Sequence, residues 1–332
     1  MFYRINQHTF VLILLILLFV LSYFVGQRTA EVGSDTGSYL KFYELVSIGG
    51  STRISDWLFF GVAYVLGHFS FTGGSFLFLV SIISNILILS FALKIMALRR
   101  YEAQRNVFLM ILFGVTLISP FYWNTQLNII RTGVSIPFIY LGYYYFSFNK
   151  KAIGLVFLSM AIGFHVSSVL FVFPMLLVFL RTKLLAGVIL FLSVVYLSSL
   201  GVEVVKVIVQ NFTFLGGYYD KFFEGTSSYS VGVRFDFFTF TMFFWGLLYF
   251  NQKDEVLVFL FKLYSILLIP FLLFGFIAYS DRLLVYCWGL IPFILSYLTI
   301  EKFKSRDIWL MLCVLLIPVF LCIIYVFYEE VL

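Results

Sequence analysis

Apolar residues in this chain gather into long runs, and the polar residues fill the gaps between them. Residues 9–25, "TFVLILLILLFVLSYFV", hold no charge, and comparable runs recur at 75–96, 106–123, 132–148, 184–200, 234–250, 256–278, 283–299 and 308–328. About 20 apolar residues in a helix cross the hydrocarbon core of a bilayer. Spanning strands would instead show segments of about ten residues alternating in polarity, which these runs do not. The pattern predicts an all-α polytopic membrane protein.

Basic residues mark the gaps: Lys94 with Arg99, Arg100 and Arg105, Lys150 with Lys151, Arg181 with Lys183, and Lys302 and Lys304 with Arg306. Short cytoplasmic loops are enriched in Lys and Arg, so these clusters and Arg4 are assigned to the cytoplasm. Residues 153–180, 28 in all, must then cross twice, as a hairpin of two short helices turning near His165. Residues 57–72 are one crossing too many and are read as a re-entrant or interfacial segment broken by "TGG" at 72–74. The count comes to about eleven transmembrane helices, roughly 10–12, in a single integral membrane domain over 1–332. Two outside loops remain, 26–56 and 201–233. The six prolines lie within the runs or at their edges, which predicts kinked helices around a cavity.

Composition agrees. Charged residues make up 11% of the chain, hydrophobic ones 62%, and the mean hydropathy is +1.05. A soluble domain carries about 25% charged residues, so this chain cannot cover a water-facing surface. The net charge of +6 sits mostly in inter-helix loops, where it sets orientation and gives no reason to invoke nucleic acid. Cys287, Cys313 and Cys322 lie inside apolar runs and read as packing residues. Residues 9–25 lack a small-residue cleavage site and more runs follow, so they read as a retained first helix.

Some charges are not explained by the loop rule. The outside face of this topology gathers Arg28, Asp35, Arg53, Asp56, Arg131, His165, Asp220, Lys221, Arg234, Asp236, Asp281 and Arg282. Guanidinium groups at a membrane-surface cavity suit a phosphate or diphosphate, because their forked donors match its oxygens. A carboxylate and a histidine nearby can handle a proton. Plainer roles stand beside these. Arg131 can snorkel to the interface, Asp35 can cap a helix, Asp281–Arg282 can be a local ion pair, His165 can be structural, Arg234 an interface anchor, and Tyr39 can simply pack. No dense carboxylate cluster argues for a metal.

Four of these segments together resemble one family. "RTAEVGSDTGSYLKFYE" resembles the Arg, then Gly-x-Asp-x-x-x-Tyr pattern that follows the first helix of the EpsG-like exopolysaccharide and O-antigen polymerase (Wzy) family. "NTQLNIIRTGVSIPFIYLGYYYF" resembles its Asn-x-x-Arg-x-Gly segment, with Thr132 where the family usually has glutamine. "KKAIGLVFLSMAIGFHVSSVLFVFP" resembles its short helix with a His-x-Ser turn, and "SDRLLVY" its late Asp/Ala-x-Arg segment. Order and spacing agree over nearly the whole chain.

The resemblance implies a GT-C-like enzyme of the bacterial inner membrane, with its cavity and active site at the periplasmic face. It would join oligosaccharide repeat units carried on undecaprenyl diphosphate. In that reading Arg131, Arg282, Arg234 and Arg28 bind the diphosphate leaving group, where positive charge stabilises the negative charge that develops. Asp35 is favoured over His165 as the base for the sugar hydroxyl, and His165 is the alternative donor to the diphosphate. Asn128, Asp281 and Tyr39 are supporting residues. Direct displacement with inversion is the expectation; a retaining route would need a carboxylate nucleophile. No cofactor is implied. Beyond the lipid-linked oligosaccharides, the partners implied are a chain-length regulator and a flippase in the same membrane.

Other classes compete. A flippase or transporter would line its path with charge through the bilayer and often show two related halves; the runs here are nearly free of midplane charge and show no repeat. An O-antigen ligase shares the chemistry but would carry a large outside loop domain, and 201–233 is modest. An acyltransferase would present its histidine and charged residues on the cytoplasmic side.

Overall fold

Helix-breaking residues cut the apolar runs into unequal pieces. In a computed structural model that describes residues 6–50, 56–98, 104–198, 201, 203, 232–277 and 279–302, no strand is found among the described residues. The chain divides into two compact units. The first comprises Met1–Val169 and Pro292–Leu332, the second Leu170–Ile291.

In the first unit α1 (Gln7–Gly26) packs on α4 (Gly73–Ala97). The approach is close because a Cβ on Gly26 would meet Phe78 and the Gly74 carbonyl at 2.6 and 2.8 Å. Lipid tails are as apolar as leucine, so helices in a bilayer associate through such close packing and not through hydrophobic drive. Between them, in the stretch expected to be the outside loop 26–56, lies a helix, α2 (Thr36–Ser47). It packs on α3 (Trp57–His68). Phe42 stacks on Phe59 at 5.3 Å and Phe59 meets Phe76 of α4 edge-on at 5.0 Å.

α3 has 12 residues, about 18 Å of helix, too short to cross alone. "TGG" at 72–74 does end this segment, but as the start of α4: Thr72 Oγ1 accepts the Ser75 amide at 3.2 Å. The run 106–123 is not straight either. α5 (Arg105–Ile118) and α6 (Pro120–Leu127) meet at a 69° bend, with Pro120 at the first position of α6, where its missing N–H costs nothing.

α6 is anchored by a buried polar network. Tyr122 donates to Asn85 Oδ1 at 3.0 Å, Asn85 Nδ2 donates to Ser22 at 2.9 Å, and Ser81 donates to Gln126 Oε1 at 2.7 Å. α7 (Ile130–Ser147) follows and packs against α6, α4 and α8 (Lys151–Phe164). At the α7–α8 crossing a Cβ on Gly142 would meet Leu158 at 2.7 Å, and one on Gly154 would meet the Gly142 carbonyl at 2.8 Å.

α8 stops at His165, whose backbone is extended (φ −153°, ψ 108°). A short 3-10 turn at Val166–Ser168, a helical turn α9 (Val169–Val172) and a 3-10 segment at Phe173–Phe179 complete this run, so 153–180 does break at the histidine.

In the second unit α10 (Thr182–Leu197), α11 (Phe235–Phe250) and α13 (Asp281–Trp288) pack around α12 (Glu255–Phe274). Polar stitches run between them. Trp245 Nε1 donates to Ser265, Trp288 Nε1 to Thr241 Oγ1, both at 3.0 Å, and the Tyr264 hydroxyl to the Thr241 carbonyl at 3.1 Å. After a turn at 289–290 comes α14 (Ile291–Lys302), which from Pro292 on belongs to the first unit.

Among the described residues four helices are long and apolar enough to cross a membrane, or five if the bent α5–α6 pair counts as one span. The expectation of about eleven spans treated as full crossings several helices that stop short: Lys151–Phe164, Val166–Phe179, Thr182–Leu197 and Phe235–Phe250 each have 10–17 residues. The run 308–328 and most of the loop 201–233 lie outside the described residues.

Candidate functional site

The segment "GSDTGSY" and the segment "NTQLNIIRTG" are folded onto one another in the first unit. Gly33 has φ +86°, and a Cβ there would lie 2.8 Å from Asn128 Oδ1, so both backbone and space require glycine. With that approach made, Asn128 Oδ1 accepts the Ser34 amide at 2.8 Å, and its Nδ2 donates to Asn124 at 3.0 Å.

Arg28 closes the same junction. Its Nε donates to Thr36 Oγ1 at 2.9 Å, Nη1 to the carbonyls of Val25 and Gln126 at 3.1 and 2.9 Å, and Nη2 to the Leu127 carbonyl at 3.2 Å. Four of its five N–H donors are thus committed, two of them to the carbonyls that end α6. Burial pushes its pKa down to about 10, which leaves it charged at neutral pH.

Arg131 stands in the first turn of α7. Its Nη1 donates to Asp56 Oδ2 at 2.5 Å, and its guanidinium also bonds the Tyr39 side chain of α2. Asp56 is buried to 1% exposure, whereas 29% of the Arg131 side chain remains accessible. Asp56 Oδ1 accepts the Val166 amide at 2.8 Å. His165 Nδ1 stands 3.7 Å from Oδ2, too far for a formed hydrogen bond, and that nitrogen and Arg131 Nε are both buried without a hydrogen-bond partner among the described residues. Burial works to raise the Asp56 pKa, but the His165 ring, the Val166 amide and the Arg131 charge outweigh it and hold the carboxyl below the usual range.

Asp35 precedes α2 in the N-cap position, yet its carboxylate makes no capping bond. Among the described residues it accepts only the Ser34 hydroxyl, at 3.3 Å. Tyr39 lies one helical turn further along, its amide bonded to the Asp35 carbonyl at 3.1 Å, so both side chains project from one face of α2.

The remaining candidates are in the second unit. Arg234 holds Asp236 through Nε and Nη2, at 3.1 and 2.7 Å, lies 3.8 Å over the Phe237 ring, and gives its amide to the Tyr196 hydroxyl at 2.9 Å. Asp281 opens α13, and Arg282 sits exposed with its guanidinium 4.9 Å from the Tyr279 ring centroid. Tyr279 takes φ +65°, a strained setting for a bulky residue. No group of three potential metal ligands occurs among the described residues.

The EpsG family profile matches residues 11–331, nearly the whole chain. The chain belongs to the EpsG family. No curated protein and no solved structure matches it.

In this EpsG-family chain the residue that sequence reasoning undervalued is Asp56. It was visible as one more outside charge, but its partners are 75 and 110 residues away. Nothing in its neighbourhood, "STRISDWLFF", marks it apart from a plain helix cap. Gly133 has a quieter role. A Cβ there would run into the Thr125 carbonyl, so the Asn-x-x-Arg-x-Gly spacing lets α7 turn back against α6 directly after presenting Arg131. Arg53, Asp220 and Lys221 lie outside the described residues.

Proposed function

We propose that this chain is a polysaccharide polymerase. It joins oligosaccharide repeat units carried on a polyprenyl diphosphate, at the periplasmic face of a bacterial inner membrane. Family membership supports the class. The observation that carries the site is Arg131, bonded to the buried Asp56 carboxylate and to Tyr39, with 29% of its side chain accessible.

A guanidinium fixed in this way keeps donors available for the diphosphate and needs no reorganisation as charge builds on the leaving group. Asp35, not engaged in capping, takes the proton of the attacking sugar hydroxyl. The hydroxyl oxygen bonds to the anomeric carbon, the bond from that carbon to the diphosphate oxygen breaks, and the electron pair leaves with the lipid diphosphate. One displacement inverts the anomeric centre. His165 donates to the diphosphate. Arg28 serves by holding the loop that carries Asp35.

The test is surface-polysaccharide length by gel in a strain lacking the gene, complemented with wild type, Arg131→Lys, Arg131→Ala or Asp35→Asn, with membrane levels checked by blot. A full ladder from wild type and single-repeat product from well-expressed variants is the expected result. Normal ladders from the variants would return these residues to structural anchoring. An unchanged polymer in the deletion strain itself would overturn the polymerase reading and favour a transporter.

A further inference from the structure

Asp56 occupies the N-cap position of α3 but does not cap it. An aspartate there ordinarily gives its oxygens to the amides of the first turn. Here one oxygen goes to the Val166 amide and the other to Arg131. Burying a carboxylate is costly unless it is paired, so a residue serving only to start a helix would be better left at the surface. The break at His165 fits this arrangement. The extended backbone at 165 ends α8 and leaves the Val166 amide outside the α8 ladder, where Asp56 receives it. α3 is held close to α8 because a Cβ on Gly163 would strike Leu58 and Trp57 at 2.7 and 2.8 Å.

We propose that Asp56 is the positioning residue of this site, fixing the Arg131 guanidinium through Oδ2 and, through Oδ1 on the Val166 amide, the backbone turn that carries His165. Its functional consequence rests on the polymerase reading; the geometry itself does not. A carboxylate that orients a histidine and a cation sets direction without touching the reacting atoms, and a misplacement of about 1 Å in such a group can cost on the order of 100-fold in rate.

Three measurements on the full chain test it. In detergent, Arg131→Ala lowers the thermal midpoint by leaving the Asp56 charge buried and unpaired, and adding Asp56→Asn to that variant recovers part of the loss. Losses that simply add would overturn the proposal. The chain has three histidines, so nitrogen NMR of a His8→Gln, His68→Gln background reads His165 alone. The His165 ring signals shift when Asp56→Asn is added, because the turn that carries the ring loses its anchor on the Val166 amide; a spectrum unmoved by Asp56→Asn would overturn the proposal. In cells, Asp56→Asn at normal membrane level lowers polymer by on the order of 100-fold, and Asp56→Glu restores part of it. Full-length polymer from Asp56→Asn would overturn it. The first two measurements involve no sugar. A chain that passes both, while its wild type makes no polymer, therefore removes the polymerase reading and leaves the place of Asp56 standing.

Discussion

The side-chain carbonyl of Asn128 accepts a hydrogen bond from the backbone amide of Ser34 at 2.8 Å, across 94 residues of chain. That bond ties the loop carrying Asp35 to the segment carrying Arg131. Neither could drift without losing it, because the Gly33 backbone lies against the same oxygen. The spatial relation between the proposed base and the proposed diphosphate ligand is therefore set by backbone and amide contacts, ahead of any ionic one.

Gly33→Ala is expected to cost roughly 1–3 kcal/mol of stability, since alanine meets both a left-handed backbone and the Asn128 oxygen. Gly49→Ala is the control: its φ is +79° but a Cβ there meets nothing within 4 Å, so about 1 kcal/mol is expected. Thermal unfolding of the purified chains checks the difference, and equal losses would remove the steric half of the explanation.

Arg28 and Arg131 should respond differently to lysine. Arg28→Lys loses a fork that reaches three carbonyls and a hydroxyl, which an ammonium cannot reproduce. The expected result is a lower membrane level, with polymer per molecule little changed. Arg131→Lys retains a charge beside Asp56 and should keep a near-normal level while polymer falls by on the order of tenfold or more. Blot intensity set against ladder length separates the two.

Gly133→Ala should destabilise by roughly 1–3 kcal/mol, because the new methyl meets the Thr125 backbone, which cannot swing aside as a flexible side chain would. Gly187→Ala, where a Cβ meets nothing within 4 Å, should cost nothing and gain a little through helix propensity. Midpoints from the same unfolding assay decide.

Asp56 predicts an acid limb. Its folded pKa lies below the unfolded one, so its contribution is complete above the unfolded value of about 3.9 and is lost as pH falls through the lower folded value. At neutral pH Asp56→Asn should cost roughly 1–3 kcal/mol, the partial exposure of Arg131 keeping it below a fully buried pair. That gap should narrow as pH drops below about 4. A gap that stays constant through the acid range would show that another group, not Asp56, sets the limb.

The helical class, the membrane character and the family were legible in the sequence because run length and motif order are local properties. Asp35, Tyr39, Asn128, Arg131 and His165 could be singled out as candidates for the same reason, each standing in a short recognisable stretch. Roles that depend on distant partners were not legible. Arg28 looked like a free cation, yet its donors end at the carbonyls of residues 126 and 127. Asp56 was one outside charge among several, yet it serves Arg131 and Val166. The helix in 26–56 was hidden by its polar first turn, "TGSY", which reads as loop until Tyr39, Phe42 and Tyr43 are seen buried on one side. The bend at Pro120 was legible from the proline, although unbroken hydropathy across residues 106–123 gave no sign that it is as sharp as 69°.

The close approaches at the glycines of α7 also constrain chain length. Gly133 meets α6 and Gly142 meets α8, nine positions apart on one helix. Each added residue turns a helix by about 100° and lengthens it by about 1.5 Å. An insertion or deletion between these two glycines would lift one of them from its seat and rotate Arg131 away from Asp56. The distance from 131 to 142, counted in residues, is thus as tightly specified as the residues themselves, and variation in length belongs in the loops beyond Phe148.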